Sequence, residues 1–197
     1  MFVHKHAPLV ILMIILAFSM ILSQWLGLQW LAWDRGQLQA GEIWRLYSGH
    51  FVHLGIWHLT LNLLALGLLA VLFVEELGWR SWMLVLAVLP PLISAGLWWG
   101  MPNLQGYAGL SGVLHGVFVL GAIRMWSNPS DRPLSATLLV LVLVKLWLEP
   151  DSAGSGVTAS LIGGRILVEA HQWGAAGGVA IAGVMRCLSS GSHAGSV

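Results

Sequence analysis

Six long apolar stretches joined by short polar loops constrain this chain more than any other feature of its sequence. The stretches are Leu9–Leu26, Ile56–Phe73, Trp82–Trp98, Leu110–Trp126, Leu134–Leu148 and Ile166–Met185. A helix needs about 20 apolar residues to cross the hydrocarbon core, and all but the rather short fifth stretch approach that length. Charged residues make up 9% of the chain and hydrophobic residues 57%, whereas a soluble domain carries about 25% charged residues. The pattern predicts an all-α membrane protein with six transmembrane helices.

The positive charges in the loops predict how these helices are oriented. Six spans put both termini on one side of the membrane. On that side lie Lys5, Arg80, Arg124, Arg132 and Arg186, and on the other lie Arg35, Arg45 and Arg165. Because positive charge favours the cytoplasmic side, both termini are predicted to be cytoplasmic. The starts of the fourth and sixth helices then lie near the extracytoplasmic face.

The sequence predicts a single domain. Residues 1–188 hold all six helices without an internal repeat, and residues 189–197 are predicted to form a disordered tail. A cleaved signal peptide is disfavoured, because Trp25 and Trp30, and no small-x-small site, follow the first stretch. The formal net charge of +1 argues against nucleic-acid binding. The single Cys187 excludes an internal disulfide and a cysteine cluster.

Few strongly polar side chains lie inside the apolar stretches, and such side chains are candidates for a functional site because they are costly in lipid. They are His58, Asn62, Ser111, His115, Lys145 and His171. Lys145 and Glu149, four residues apart, are expected to pair near the outer interface, unless Lys145 extends to the interface by itself. The polar residues interpreted as solvated loop or helix-end residues are Glu75, Glu76, Trp44 and Arg45.

Ser111 begins the fourth stretch and stands between Gly109 and Gly112 in a Gly-Leu-Ser-Gly sequence. The first N–H groups of a helix lack intrahelical partners, which suits the stabilisation of an anion. The two glycines allow close approach of backbone or substrate. Taken alone, a serine here is more commonly a helix cap or a packing residue. Its interpretation as a nucleophile therefore depends on partners elsewhere in the chain.

His58 and Asn62 are four residues apart and share one face of the second helix. A histidine and an amide that converge near the outer end of a helix are suitable donors to a developing oxyanion. The alternative is that both hydrogen-bond to neighbouring helices for structural reasons. His53 extends the pattern and is expected in the loop, as a structural partner.

Two histidines are candidates for the base that a nucleophilic serine requires. His171 lies near the start of the sixth stretch, and Gly174 and Gly178 after it allow close packing against another helix. His115 lies four residues after Ser111 on the same helix. Spacing alone does not rank one histidine above the other.

The sequence favours a Ser-His dyad over a triad. Glu169, the carboxylate close in sequence to His171, lies two residues before it and points to a different face of the helix. A metal site is disfavoured because neither H-x3-H nor H-E-x2-H occurs. The prediction is no metal and no cofactor.

Four motifs, in order along the chain, resemble those of the rhomboid family of intramembrane serine proteases. Glu42-x-Trp44-Arg45 is similar to the family's first-loop motif, and His53-x4-His58-x3-Asn62 is similar to its second-helix motif. Gly109-x-Ser111-Gly112 resembles the nucleophile motif, and Ala170-His171-x2-Gly174-x3-Gly178 resembles the sixth-helix motif. Each is weak alone, but together they cover about Glu42 to Gly178. His115 is a departure, because many relatives have a tyrosine there, packed against the catalytic histidine.

The resemblance implies a six-helix rhomboid-like bundle in which Ser111 is the nucleophile and His171 the base. It implies an oxyanion hole made by His58, Asn62 and the Ser111 backbone N–H, with His115 orienting the base. The implied partners are the lipid bilayer and the transmembrane helix of a protein substrate. The implied location is a bacterial cytoplasmic (inner) membrane, with the site towards the periplasm.

The compact form and His115 most resemble the bacterial rhombosortase branch. That branch implies processing of secreted proteins that end in a Gly-Gly motif, an apolar helix and a basic tail. A general rhomboid protease of single-pass proteins is the alternative. A non-catalytic rhomboid-like binder of transmembrane clients ranks lower, since such relatives typically lack the serine or the histidine. A small transporter ranks lower too, since no inverted repeat is evident.

Overall fold

The computed structural model describes residues 2–152 and 157–194, most of which are helical. The long helices are α1 (Phe2–Leu26), α5 (Ile56–Leu72), α6 (Trp79–Gly100), α7 (Ser111–Met125), α8 (Arg132–Ser152) and α10 (Val168–Ala194). The loops contain the short helices α2 (Leu28–Leu31), α3 (Arg35–Gln39), α4 (Arg45–Ser48) and α9 (Val157–Ile162), and a 3-10 turn (Pro129–Asp131). Strands β1 (Trp33–Asp34) and β2 (Gly106–Tyr107) pair antiparallel. Each predicted apolar stretch coincides with one long helix.

Two helices extend beyond the predicted stretches. Helix α8 continues past Leu148 to Ser152, which puts Glu149 on the helix. Helix α10 continues to Ala194, where the sequence analysis predicts a disordered tail from residue 189. No proline or positive-φ glycine interrupts this end of α10. Residues 195–197 of the predicted tail lie outside the described residues.

Prolines inside a helix usually kink or break it, yet α6 stays helical through both Pro90 and Pro91. A proline inside a helix leaves the carbonyl four residues earlier without its usual donor. For Pro91 that carbonyl belongs to Ala87, and the Tyr47 hydroxyl donates to it at 2.9 Å. The short helix α4 in the first loop therefore supplies the missing hydrogen bond.

Large apolar side chains on the outer helix surfaces indicate contact with lipid. Phe18 of α1 is 66% exposed, Val71 of α5 is 75% exposed and Trp147 of α8 is 82% exposed. Soluble proteins rarely expose large contiguous apolar patches. Among the described helices, those long and apolar enough to cross a membrane are Lys5–Leu26 and Trp79–Gly100, and shorter apolar helices are Ile56–Leu72 and Ser111–Met125.

Helix α7 lies at the centre and packs against α5, α6, α8 and α10. Its contact with α10 is made by backbone atoms: a Cβ added at Gly174 would overlap the carbonyl oxygen of Gly112. One turn further along, a Cβ at Gly178 would overlap the carbonyl oxygen of Gly116. Small residues allow helices to approach this closely. We call Gly112, Gly116, Gly174 and Gly178 the glycine seam.

Arg45 holds the first loop together and is 2% exposed, so the prediction that it is solvated is wrong. Its Nε donates to Glu42 Oε2 at 2.6 Å, and its two terminal nitrogens donate to the carbonyls of Ala32 and Gln29 at 2.8 Å each. A guanidinium carries five N–H donors in a fixed plane, so one buried side chain satisfies several acceptors. Trp44, by contrast, is half exposed.

Glu75 joins the start of α1 to the end of α5 while staying exposed, as predicted. Lys5 Nζ lies 2.5 Å from Glu75 Oε2, and His6 Nε2 lies 3.2 Å from Glu75 Oε1. The hydrogen bond from the Lys5 ammonium holds the pKa of the Glu75 carboxyl below its usual range. Exposed ion pairs of this kind contribute little to stability.

Candidate active site

Ser111 and His171 meet between helices α7 and α10. Ser111 is the first residue of α7, and His171 lies in the first turn of α10. The distance from Ser111 Oγ to His171 Nε2 is 2.9 Å, which is a hydrogen bond. His171 is 5% exposed. The glycine seam begins beside both residues, so the close contact of the two helices brings this pair into reach.

His115 stacks on His171 and does not contact the serine hydroxyl in the way a base would. The two ring centroids are 4.1 Å apart and the rings are inclined by 15°. His115 Nδ1 lies 2.7 Å from the backbone carbonyl oxygen of Ser111, and a carbonyl can only accept, so Nδ1 is the protonated nitrogen. Of the two histidines that spacing left open, His171 is the one placed against Ser111 Oγ.

A carboxylate lies at the other side of His171, which the prediction of a dyad did not include. Glu149 Oε2 is 2.8 Å from His171 Nδ1, and Glu149 Oε1 is 2.7 Å from Lys145 Nζ. The predicted pairing of Lys145 with Glu149 is confirmed. The sequence analysis weighed Glu169 because it is near in sequence. Glu149 reaches the histidine from the neighbouring helix α8, a contact that packing creates and sequence proximity does not show.

His58 and Asn62 face the same cavity as Ser111, from helix α5. The Leu54 N–H donates to His58 Nδ1 over a long 3.4 Å, which leaves Nε2 as the protonated nitrogen of the neutral ring. Asn62 Nδ2 donates to the His58 carbonyl at 2.9 Å, which leaves its second N–H for another acceptor. These two donors thus lie on one helix face, towards the serine.

Gly109 must be glycine for two reasons. Its φ of 123° lies in a region of backbone conformation that residues other than glycine rarely adopt. A Cβ at this position would also overlap the His58 ring. Tyr107 fixes the same turn, because its hydroxyl donates to the Gly109 carbonyl at 2.6 Å. Burial raises the pKa of Tyr107, so this phenol stays neutral.

Two buried histidines support the loop before α5. The His53 ring meets the His58 ring edge-on, with centroids 5.0 Å apart. His50 Nε2 lies 3.1 Å from Ser94 Oγ. Burial lowers the pKa of His50 and of His53 to about 3. Both rings are therefore neutral at ordinary pH, and they pack behind the residues that face the cavity.

A cavity of about 1370 Å³ opens over Ser111. It is larger than the roughly 300–1,000 Å³ of a small-molecule pocket, so it has room for a peptide segment. Helices α5, α7, α8 and α10 line it, together with the loop before Ser111 and the loop before α10. Its polar groups include those of His58, Asn62, Ser111, His115, Glu149 and His171.

His115, Glu149 and His171 form a cluster of possible metal ligands. Ligand atoms of His115, Glu149 and His171 lie within 4.8 Å of one another. Imidazole binds a metal through lone pairs in the ring plane, and two nearly parallel rings 4.1 Å apart cannot direct these at one ion. Both nitrogens of His171 are also occupied, by Ser111 and by Glu149. The residues fit a metal poorly, and the absence of a metal stays a prediction.

Sequence reasoning missed four residues of this site: Glu149 as a partner of the histidine, Gly116 of the glycine seam, and the supporting Tyr107 and His50. Gly116 follows Gly112 by four residues, the same small-x3-small spacing as Gly174 and Gly178. That signal was available. Nothing in the sequence placed Glu149 beside His171.

Comparison with known proteins identifies the family. The rhomboid domain model matches residues 40–187. The chain is 30% identical to "Rhomboid protease GlpG" of Yersinia enterocolitica, over 73% of this chain and 52% of that protein. It is 30% identical to the protein of the same name from Serratia proteamaculans, over 65% of this chain and 46% of the relative. The chain thus spans about half the length of the curated relatives it matches. Because the domain match covers most of the chain, including all four motifs, this protein belongs to the rhomboid family.

Proposed function

We propose that this protein is an intramembrane serine endopeptidase in which Ser111 is the nucleophile and His171 the general base. The proposal rests on the 2.9 Å hydrogen bond between Ser111 Oγ and His171 Nε2. A serine hydroxyl is a weak nucleophile, and a histidine within hydrogen-bond reach is its usual activator. Family membership and the names of the relatives support the same activity.

The proposed reaction is acyl transfer through a tetrahedral intermediate. Ser111 Oγ attacks the scissile carbonyl while its proton passes to His171 Nε2. The oxyanion accepts hydrogen bonds from His58 Nε2–H, the free Asn62 N–H and the Ser111 backbone N–H. His171 then gives its proton to the leaving amine, and water attacks the acyl-enzyme with the same histidine as base.

The proposed topology has six spans, both termini in the cytoplasm and the site near the periplasmic side of a bacterial inner membrane. The match between six apolar stretches and six long helices supports it, as do the exposed apolar helix surfaces. Ser111 begins α7 and His171 lies in the first turn of α10. Both residues then fall at the same shallow depth on one side of the membrane.

The proposed substrate is a transmembrane helix or a C-terminal membrane anchor of another protein. Such a helix would enter from the lipid and unwind, because only extended backbone presents its carbonyl to Ser111. Rhombosortase-type cleavage after a C-terminal Gly-Gly signal remains a prediction based on the sequence resemblance. The relatives are named "Rhomboid protease GlpG", and this name supports proteolysis without distinguishing a Gly-Gly signal from a general single-pass substrate.

Fluorophosphonate labelling and cleavage of a fluorescent transmembrane substrate test the activity. The wild-type protein should label at Ser111 and cleave, while Ser111→Ala and His171→Ala should do neither. Activity in either variant at the wild-type level would disprove the assignment. His115→Phe should keep most activity, since phenylalanine can stack on His171 but cannot carry a proton. Loss of activity in His115→Phe, with His171→Ala active, would exchange the two roles.

The same experiment separates the other classes of function. A non-catalytic binder of transmembrane clients, or a transporter, has no activated serine and would not label. The substrate class is tested by comparing the C-termini of secreted proteins, by mass spectrometry, in cells with wild-type protein and with Ser111→Ala. Loss of processing confined to proteins with a Gly-Gly signal would support the rhombosortase prediction.

A further inference from the structure

Two charged side chains, those of Glu149 and Lys145, form a line that continues the Ser111–His171 pair. Glu149 Oε2 lies 2.8 Å from His171 Nδ1, and Lys145 Nζ lies 2.7 Å from Glu149 Oε1. The Glu149 side chain is 10% exposed and that of Lys145 is 48% exposed. Serine, histidine and glutamate come from α7, α10 and α8, so three helices meet at this line.

The carboxylate decides which nitrogen of His171 carries the proton. A neutral imidazole has one N–H, and a base for Ser111 needs that N–H on Nδ1 so that Nε2 is free to accept. A carboxylate can only accept a hydrogen bond. Glu149 beside Nδ1 therefore selects the reactive tautomer and holds the ring in the plane that points Nε2 at Ser111.

We infer that Glu149 is a positioning residue for His171, making a Ser-His-Glu triad of this site; the inference rests on the proposed function. Ser111 Oγ–H breaks as Oγ bonds to the substrate carbonyl carbon, and that proton goes to His171 Nε2. The Nδ1 proton stays on the ring throughout, and Glu149 stays ionised. The imidazolium formed in this step is stabilised by the facing carboxylate until Nε2 gives its proton to the leaving amine.

Lys145 makes this arrangement tolerable near lipid. An unpaired carboxylate at this place would carry a large desolvation cost. The Lys145 ammonium balances the charge from one turn earlier on α8 and fixes the oxygen that His171 does not use. Its side chain is 48% exposed and long enough for the ammonium to reach a polar interface. The ion pair thus fixes the rotamer of Glu149.

Glu169 provides a matched control. It is also a glutamate, it lies two residues from His171 on the same helix, and it is partly buried in the wall of the same cavity. None of the hydrogen bonds found among the described residues joins it to His171. Glu149→Gln and Glu169→Gln remove the same charge from the same region, and both preserve the size of the side chain.

The test measures kcat, KM and the tautomer of His171 in purified full-length protein. Glu149→Gln should lower kcat on the order of 10²-fold or more with little change in KM. Glu169 lines the substrate cavity, so any effect of Glu169→Gln should fall on KM and not on kcat. Nitrogen-15 NMR in lipid nanodiscs, with His171 assigned by comparison with His171→Ala, should show an Nδ1–H tautomer in the wild type. That signal should be lost or mixed in Glu149→Gln and kept in Glu169→Gln.

Several outcomes would overturn the triad. One is wild-type kcat in a folded Glu149→Gln protein, and another is equal loss in both glutamine variants. An Nε2–H tautomer in the wild type would overturn it even if Glu149→Gln did not fold. The outcome is separable from that of the proposed function: an active Ser111→Ala refutes the protease, whereas an active Glu149→Gln with an inactive Ser111→Ala refutes the triad alone.

Discussion

At the scale of single residues, Asn62 shows how one side chain serves both the fold and the proposed chemistry. One amide N–H donates to the His58 carbonyl at 2.9 Å within helix α5. Asn62 also lines the cavity over Ser111, so its second N–H can donate to a bound substrate while the first bond holds the side chain. Preorganised donors of this kind need no rearrangement when charge develops.

Asn62→Ala should therefore lower kcat by roughly 10²-fold or somewhat more, as for other oxyanion donors. KM should change little, because the hydrogen bond is strongest in the transition state. Turnover of a transmembrane substrate at several concentrations measures both parameters. Thr60→Ala is the control, since the Thr60 hydroxyl donates to the Ile56 carbonyl of the same helix at 2.9 Å. Equal effects of the two changes would argue against an oxyanion role for Asn62.

At the scale of helices, the contact between α7 and α10 positions the nucleophile and the base. Backbone atoms of the two helices lie against each other along the glycine seam. Ser111 precedes one glycine of this seam directly, and His171 precedes another by three residues. A change in helix separation therefore changes the distance between Oγ and Nε2.

Gly174→Ala should separate these helices, because the new methyl group overlaps the Gly112 carbonyl. Overpacking of this kind costs about 1–3 kcal/mol, and we expect a lower unfolding temperature and at least a tenfold loss of kcat. Gly183→Ala on the same helix is the control, since nothing lies within 4 Å of its added Cβ. It should be neutral or slightly stabilising. Similar results for the two alanine variants would contradict a role of the seam.

The helices were predictable from hydropathy, whereas the partner of His171 was not. Runs of apolar residues placed all six long helices, and four-residue spacing placed His58 beside Asn62 on one face. Glu149 follows the predicted end of its helix at Leu148, and its contact with His171 depends on how α8 lies against α10. Arg45 was misassigned for a related reason: its acceptors are loop carbonyls, whose positions no residue pattern reveals.

At the scale of the whole molecule, the proposed topology can be tested with the native Cys187. This cysteine is exposed and lies near the end of α10, on the proposed cytoplasmic side. A membrane-impermeant maleimide should label it only after the inner membrane is opened. Gln39→Cys in a Cys187→Ser background should be labelled in cells with an intact inner membrane, because Gln39 lies in the exposed first loop. The reverse labelling pattern would show that the protein has the opposite orientation in the membrane.

Acid should destabilise the folded protein through its buried loop histidines. The pKa values of His50 and His53 fall from 6.5 in the unfolded chain to about 3 in the fold. The unfolded state therefore binds more protons between these values, so stability is complete above 6.5 and falls as the pH drops towards 3.

Thermal unfolding in detergent between about pH 7 and about pH 4 measures this dependence. His50→Gln removes one of the two groups and should flatten the curve, even though the Ser94 contact at 3.1 Å changes. An unfolding temperature that does not depend on pH in the wild type would show that these rings are not kept neutral by burial.

The glycine seam also bears on how sequences of this kind can change over time. The helix contact that sets the distance between nucleophile and base is made by backbone atoms at glycines, so it cannot be adjusted by shortening or repacking a side chain there. A substitution that enlarges one helix at the seam has no compensating substitution on the other, because glycine is already the smallest residue. We expect these four positions to stay invariant in active orthologues of this protein, while the lipid-facing residues of the same helices vary freely. Deep mutational scanning for activity would show the seam as a narrow stripe of intolerance.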